Sequence, residues 1–251
     1  MKVSLVLPLY NSENYAEECL NSVFAQSLKD YELIVIDDCS KDRTRELLKK
    51  MSVKFYCNSV NLGFCKTVNK GIRLAKGEYV AILDHDMVYE KDYLKKMLME
   101  SGDIVGARVY YYKNKNKIRA LDIKISPLTG KTNILGRDEI DKGQYDSLRE
   151  IEAIGAGSLV IRKEVFKKAG FFNENLIMYF IDVDFCIRAR EKGYKIILSK
   201  AKCFHKKQEK EIMTREQKKR YFHDKAIIMK RYPFAFLINY IQIFLNKIKR
   251  K

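Results

Sequence analysis

Two aspartates separated by a single residue, Asp84 and Asp86, directly follow the apolar run 78–83. On an extended segment, residues two apart project to the same face, so we expect both carboxylates to reach a single cation. Hard oxygen ligands favour Mg²⁺ or Mn²⁺, and either ion can bridge to the phosphate oxygens of a substrate. The simpler alternative is a solvated loop, because a D-x-D without its context is a weak motif.

A second acidic pair, Asp37 and Asp38, follows another apolar run at 32–36. A carboxylate at this place can accept a hydrogen bond from the ring N–H of a uracil base, which favours a nucleoside pocket. The alternative is structural, since Asp is a common cap of a following helix. Ser40 and Asp42 are further candidate caps for the helix predicted near 42–51.

The elements that position these acids alternate through the first 108 residues. Alternation of this kind predicts an α/β fold with an open, mostly parallel sheet flanked by helices. Ligands of such sheets bind beyond the carboxyl ends of the strands, where both acidic pairs lie. The predicted strands are 2–7, 32–36, 53–57, 78–83 and 103–108, and the predicted helices are 13–26, 42–51, one ending near 75, and 91–100.

The second half of the chain is less regular. Residues 109–150 are polar and predict a loop and hairpin region. Order returns with strands at 157–162 and 195–198 and helices at 163–169 and 182–192. We therefore divide the chain into a catalytic domain, 1–207, with halves 1–108 and 109–207, and a basic amphipathic helical tail, 208–251.

Positive charge is concentrated in the tail. The whole chain has a formal net charge of +17, and its last 52 residues hold 16 Lys and Arg against four Asp and Glu. The apolar run after Pro233 is too short to span a bilayer. Residues 226–251 instead predict a helix lying at a membrane surface, with packing on the catalytic domain or in a dimer as the alternative. Nucleic acid is not predicted as a partner, because the basic residues adjoin apolar ones rather than forming an interleaved basic face.

The six cysteines show no C-x-x-C spacing, which argues against a zinc site and a disulfide framework. The apolar start at 3–9 is too short for a signal peptide. We therefore expect a cytoplasmic protein, located at the inner face of the cell membrane if the tail binds lipid.

Neither G-x-G-x-x-G nor G-x-x-x-x-G-K-[ST] occurs, which argues against a dinucleotide-dependent dehydrogenase and a P-loop ATPase.

The ordered set of motifs resembles the family 2 glycosyltransferases of the GT-A fold, with rhamnosyltransferase-like members most similar. The resemblance covers about residues 2–207. It rests on VLPLYN at 6–11, IVIDDCSKD at 34–42, NLGF at 61–64, NKG at 69–71, AKGEY at 75–79, DHD at 84–86, GSLVIRK at 157–163, GFFNE at 170–174, DVDFCIR at 182–188, GY at 193–194 and His205.

The resemblance implies an inverting transfer of a sugar from a UDP- or dTDP-linked donor to a hydroxyl of a glycan or a lipid-linked acceptor. It implies that Asp182 is the general base and that Asp38 contacts the nucleotide base. It also implies a divalent cation, Mg²⁺ or Mn²⁺, held by Asp84, Asp86 and His205 beside the donor diphosphate. The remaining nucleotide-sugar contacts that it implies are Pro8, Tyr10, Asn11 and Gly63.

Three positions depart from the family pattern. Cys39 replaces a glycine, Ile181 replaces the first residue of an acidic pair before Asp182, and Asn173 replaces an aspartate. Because Ile181 replaces an acidic residue, a catalytically impaired family member stays an alternative. Asp184 is a less favoured candidate for the general base. A nucleotidyltransferase is a further alternative, although PLYN stands where its glycine-rich basic loop would be expected.

Overall fold

The first half of the chain folds as the alternation predicts. The computed structural model describes residues 1–126, 128–206 and 213–232. The strands are β1 (Val3–Leu9), β2 (Tyr31–Asp37), β3 (Phe55–Cys57), β4 (Tyr79–Ile82), β5 (Met87–Tyr89), β6 (Ile104–Tyr111), β7 (Ile118–Ala120), β8 (Asp122–Ile125), β9 (Thr132–Leu135), β10 (Glu150–Ile151), β11 (Leu159–Arg162) and β12 (Ile196–His205). The helices are α1 (Ala16–Phe24), α2 (Thr44–Lys50), α3 (Phe64–Leu74), α4 (Tyr93–Met99), α5 (Val165–Ala169), α6 (Ile181–Glu191) and α7 (Arg215–Met229), with a 3₁₀ turn at Ala156–Ser158.

The central sheet has the strand order β10-β12-β6-β11-β4-β1-β2-β3. Strands β3, β2, β1 and β4 pair in parallel, and so do β6 and β12. Strand β11 lies antiparallel between β4 and β6, so those two run in the same direction. Six of the eight strands in this path thus point the same way, and the predicted α/β class with a mostly parallel sheet is confirmed.

All seven residues of β1 are buried, as expected for a parallel strand covered by helices on both faces. Helix α3 packs directly on this strand. A Cβ added at Gly71 would lie 2.3 Å from Val6 Cγ1 and 3.3 Å from Ile36 Cδ1. Glycine at this position therefore allows α3 to approach the sheet.

Residues 109–150, predicted as a loop and hairpin region, contain the end of β6 and the short strands β7 to β9, and β10 begins at their end. Two further differences concern β12 and β5. Strand β12 runs to His205 instead of ending at 198, because its second part pairs with β6 beyond an irregularity between Leu198 and Lys202. Strand β5 was not predicted. It pairs antiparallel with the end of β12, a long-range contact that a three-residue segment does not reveal.

The predicted tail begins with helix α7, whose first turn is closed by a capping box between Thr214 and Gln217. Residues 207–212 and 233–251 lie outside the described residues, so most of the predicted membrane-binding segment does too. Among the helices that the structure describes, none is long and apolar enough to cross a membrane.

Candidate functional site

Most of the predicted site residues lie at one edge of the sheet because the strands that carry or precede them run in the same direction. Strands β1, β2, β4 and β12 end at this edge. The residues that end or follow them are Tyr10 and Asn11, Asp37 and Asp38, Asp84 to Asp86, and His205. Strand β1 separates β2 from β4, so the two acidic pairs begin roughly 10 Å apart across two strand spacings. This is the distance scale of a bound nucleotide rather than of one ion.

The loops after β1 and β2 are joined by hydrogen bonds. The backbone N–H of Asn11 donates to Ser40 Oγ at 3.0 Å, and Asn11 Oδ1 accepts from Lys41 N at 2.9 Å. Pro8 is buried within β1, whereas Tyr10 is 42% exposed and leaves its ring open to a ligand. Cys39 has a φ of +63°, the left-handed conformation that explains why the family pattern has glycine there.

The buried carboxylate of Asp38 holds the loop that leads into α3. It accepts hydrogen bonds from Asn58 Nδ2 at 2.8 Å, Leu62 N at 2.9 Å and Gly63 N at 2.8 Å. Gly63, with a φ of +83°, begins the helix. A carboxylate has about four acceptor positions, so these three bonds leave capacity for one donor from a ligand. Asp38 thus supports the loop at Gly63, and its place in a nucleotide pocket stays a prediction.

Its neighbour Asp37 has a different environment. Asp37 is fully buried, and its Oδ2 accepts from Arg45 Nε at 2.7 Å and from Ser40 N at 3.2 Å. The capping alternative is wrong for this pair, because α2 begins seven residues beyond Asp37 and Asp42 accepts the Thr44 N–H instead. Asp37 stabilises the turn after β2 and anchors α2 through Arg45.

Asp84 and Asp86 lie in a turn, so the expectation of an extended segment is wrong. Met87 N donates to Asp84 O at 3.1 Å and closes the turn between β4 and β5. Asp86 is 2% exposed, whereas the side chain of Asp84 is 35% exposed. The two carboxylates therefore differ in burial, and the turn rather than strand pleating determines their directions.

Asp86 lies against the end of β12. Its Oδ2 is 3.6 Å from His205 Nε2, and its backbone oxygen accepts from Lys206 N at 2.8 Å. Within the described residues, no three His, Cys, Asp or Glu side chains come together with the spacing of metal ligands. A carboxylate and an imidazole this close nevertheless fit one divalent cation, because such ions in phosphate-handling sites take one or two protein carboxylates and complete their shell with phosphate and water.

Asp182 is the second residue of α6, and the helix begins directly after Phe180, which has a φ of +59°. Its Oδ1 accepts from Val183 N at 2.8 Å. Burial raises the pKa of Asp182 above its ordinary value, although hydrogen bonds from the backbone of Val183 and Ala156 partly oppose this effect. A raised pKa makes the carboxylate a stronger proton acceptor.

One short segment brings Asp182 and Asp84 to the same place. A Cβ added at Gly155 would lie 3.7 Å from Asp182 Oδ2, and one added at Gly157 would lie 2.7 Å from Asp84 Cβ. The segment 155–158 between them contacts both β4 and β6. Asp182 and the D-x-D turn therefore flank the same backbone at the carboxyl edge.

The departures from the family pattern also have structural explanations. Ile181 is 4% exposed and belongs to the core. Asp184 is buried and forms ion pairs with Arg188 at 2.8 Å and Arg231 at 3.5 Å, which makes it a structural carboxylate rather than a substitute base. Asn173 Oδ1 accepts from Asn175 N in a local turn.

Sequence reasoning missed Asn58, which links Asp38 to helix α3. Its Nδ2 donates to Asp38 and to Thr67 Oγ1, and its Oδ1 accepts from Lys70 Nζ at 2.7 Å. The signal was present, since Asn58 directly follows β3 and is a polar residue at the same sheet edge. Arg73, the other basic residue of α3 with a described partner, pairs with Glu174 at 3.8 Å.

Sequence comparisons show which known proteins this chain is similar to. The model of the family described as glycosyl transferase family 2 matches residues 4–170. Glycosyltransferase GlyA of Streptococcus pneumoniae is 32% identical over 119 residues, which are 44% of this chain and 17% of GlyA.

Two solved structures have the same fold. S. aureus TarS 1–349 in complex with UDP-GlcNAc matches with a TM-score of 0.60 at 22% identity, over 84% of this chain and 60% of that one. GalNAc-T7 with UDP, GalNAc and Mn²⁺ matches with a TM-score of 0.66 at 16% identity, over 83% and 44%. These are GT-A folds, which confirms the predicted fold class. The chain spans less than two thirds of the length of each of these three proteins.

Proposed function

Because the chain belongs to glycosyl transferase family 2, we propose that it transfers a sugar with inversion from a nucleoside-diphosphate donor to a hydroxyl of a glycan or lipid-linked acceptor. The observation that carries this proposal is the meeting of Asp182 and the D-x-D turn on one backbone segment, 155–158. A single displacement requires that the proton acceptor and the diphosphate-binding turn are held close together. Contact of both with the same segment meets this requirement.

The donor nucleotide binds between the ends of β1 and β2. Tyr10 offers an exposed ring, Asp38 retains one acceptor position for a base N–H, and the loops at Asn11 and Gly63 form the walls. We favour a UDP-linked over a dTDP-linked donor, because TarS and GalNAc-T7 are described with UDP or its sugar conjugate. The rhamnosyltransferase-like specificity stays a prediction.

Asp86 and His205 are the residues that would hold Mg²⁺ or Mn²⁺, with Asp84 at the exposed side of the turn. When bound, such an ion offsets the negative charge of the departing diphosphate. The chain fixes the position of Asp86 for this role by burying it and by holding its backbone oxygen through Lys206 N. Lys70 is the basic residue of α3 that lies within the Asp38 network.

Asp182 accepts the proton of the acceptor hydroxyl. The hydroxyl oxygen forms a bond to the anomeric carbon, the bond from that carbon to the diphosphate oxygen breaks on the opposite face, and the proton moves to the Asp182 carboxylate. Its raised pKa suits this role, since general bases act best when their pKa approaches the working pH.

Replacement of the base tests this assignment. We expect Asp182→Asn to lower kcat for sugar transfer by roughly a hundredfold or more, because general-base catalysis contributes about 10²–10⁴-fold. The KM for the donor should stay unchanged. The measurement is transfer from a panel of UDP- and dTDP-sugars with Mn²⁺. Asp184→Asn, two residues along the same helix, is the matched control: it should lower stability while leaving kcat of the folded protein near wild type.

A second candidate, a catalytically impaired nucleotide-binding protein, is favoured by the apolar Ile181 beside the base. The same assays separate the two candidates. Binding of UDP with Mn²⁺ and neither transfer nor hydrolysis of any donor in wild-type protein would support the impaired form. Turnover that disappears in Asp182→Asn would exclude it.

A further inference from the structure

The buried aspartate of helix α7 holds the loop that leads into the Asp182 helix. Asp224 is fully buried, and both of its carboxylate oxygens face the backbone of residues 177–179. Oδ1 accepts from Ile177 N at 3.0 Å, and Oδ2 accepts from Met178 N at 2.8 Å and Tyr179 N at 2.8 Å. Three successive amides thus converge on one side chain from a distant helix.

The charge of this carboxylate is maintained despite its burial. Burial alone would raise the pKa of Asp224, but hydrogen bonds from His223 and from the amides of Met178, Ile177 and Tyr179 more than offset it and lower the pKa. His223 Nδ1 lies 2.8 Å from Asp224 Oδ1. Hydrogen bonds to an ionised acceptor are roughly twice as strong as neutral ones, so the loop is held by charge-assisted bonds.

The segment held in this way ends in a strained residue. Phe180 follows Tyr179 directly and has a φ of +59°, a left-handed conformation that is unfavourable for a bulky residue. Such a conformation persists only where the surroundings determine it on both sides. On one side Asp224 fixes the amides, and on the other Asp184 N donates to Phe180 O at 2.8 Å to start α6.

Helix α7 makes further contacts with the same region. The ring of Tyr221 lies 5.5 Å from Tyr179 and 5.3 Å from Phe180, between ring centroids. Arg231, just after α7, pairs with Asp184 and with Glu191 of α6. The helix therefore contacts both the loop before Asp182 and the helix that carries it.

We propose that Asp224 is a positioning residue of the transfer reaction, which acts by fixing the backbone of 177–179 and thereby the direction of Asp182. The proposal rests on the proposed function, because it gives Asp224 a role only through the base. Asp224 does not contact the reacting atoms. Through Asp224, helix α7 contributes to the reaction in addition to packing on the loop before α6.

The primary test uses the full chain with Asp224→Asn, which keeps the shape of the side chain but turns one acceptor into a donor facing backbone N–H groups. We expect kcat to fall roughly ten- to a hundredfold, since small displacements of a catalytic group cost that much. The donor KM and the dissociation constant of UDP should stay unchanged, because the nucleotide binds at β1 and β2.

A matched control separates positioning from loss of stability. Glu32 Oε1 accepts from Lys76 N at 2.7 Å and Ser4 Oγ at 2.6 Å at the amino end of β2, the opposite edge of the sheet. Glu32→Gln also replaces a carboxylate that accepts a backbone amide, and we expect it to lower stability without lowering kcat. An equal loss of kcat in both variants would overturn the proposal.

A double variant tests whether Asp224 acts through Asp182. If it does, Asp182→Asn combined with Asp224→Asn should be no slower than the residual rate of Asp182→Asn alone. Independent, multiplying losses would overturn the proposal. Near-normal turnover of Asp182→Asn would overturn both the proposed function and this inference, whereas an inactive Asp182→Asn with a fully active Asp224→Asn would overturn this inference alone.

Hydrogen exchange of the wild-type protein gives a measurement that needs no variant. The amides of Ile177, Met178 and Tyr179 lie in a loop between α5 and α6, yet their bonds to Asp224 should slow their exchange well below that of an open loop. Exchange at the rate of unprotected amides would overturn the proposal even if Asp224→Asn did not fold.

Discussion

Asp182 and Asp184 lie two residues apart in α6 and have opposite environments. Asp184 is neutralised by Arg188 and Arg231, whereas burial raises the pKa of Asp182 and its hydrogen-bond donors are backbone amides. A carboxylate without an arginine partner retains a basic oxygen for a substrate proton. The electrostatic difference between two identical side chains thus distinguishes the candidate base from the structural acid.

This environment predicts a pH-dependent effect on stability. Because the pKa of Asp182 is higher in the folded than in the unfolded protein, its favourable contribution is complete only below the unfolded pKa and is lost as the pH rises through the folded one. At pH 7 the buried charge therefore lowers stability. We expect Asp182→Asn to be at least as stable as wild type at pH 7, and this advantage to shrink towards pH 4.

Denaturant unfolding at a series of pH values measures this difference. Asp184→Asn again serves for comparison, since removal of its charge leaves Arg188 and Arg231 without their shared partner and should lower stability at pH 7. Lower stability of Asp182→Asn across the whole range would contradict a raised pKa of the Asp182 carboxylate.

At the scale of elements, the approach of α3 to the sheet places the loop at Gly63 beside Asp38, on the proposed nucleotide side. Gly71 makes that approach possible, because any Cβ there would overlap Val6. The start of α3 is in turn held by Asp38 through Leu62 N and Gly63 N. Packing in the middle of α3 and hydrogen bonding at its beginning therefore both fix the position of the loop at Gly63.

We expect Gly71→Ala to lower the free energy of unfolding by about 1–3 kcal/mol, the usual range for overpacking, despite the better helix propensity of alanine. Thermal or denaturant unfolding provides the measurement. Val6→Ala combined with Gly71→Ala should recover part of the loss, because the smaller side chain removes the overlap with Val6 Cγ1. Simple additivity of the two losses would argue that α3 does not pack as described.

At the scale of the whole molecule, most of the net positive charge lies in the basic end formed by the last 52 residues, and the residues before it are nearly balanced in charge. Helix α7 packs on the loop before α6 through Asp224, and Arg231, just after α7, pairs with Asp184 of α6. The sequence beyond it, residues 233–251, combines aromatic and aliphatic residues with a basic terminus. This composition still predicts binding to a membrane surface, which would bring a lipid-linked acceptor near the site.

Removal of residues 233–251 tests that prediction. The full chain should sediment with vesicles that contain anionic lipid, and less so at high salt because the Lys and Arg contribution is screened. The shortened chain should stay in the supernatant while it retains UDP binding. Equal sedimentation of both forms would contradict a membrane role for these residues.

The alternation of apolar runs and helical patterns was sufficient to predict the five strands from β1 to β6 that alternate with helices, and the edge at which their acids meet. These features depend on local periodicity and on the common direction of parallel strands. The family motifs added the expectation for Asp182 and His205. Local sequence could not place Asp84 and Asp86 in a turn, since β5 forms only where β12 is available to pair with it.

The sequence by itself determined the α/β class, the family and the identity of the acids at the carboxyl edge, because side-chain type and spacing act locally. Only the tertiary structure decided which partner each buried acid has: Arg45 for Asp37, Arg188 and Arg231 for Asp184, and backbone amides 45 to 47 positions earlier in the chain for Asp224. The physical reason is that burial and charge pairing depend on contacts between distant segments, which exist only once the chain has folded.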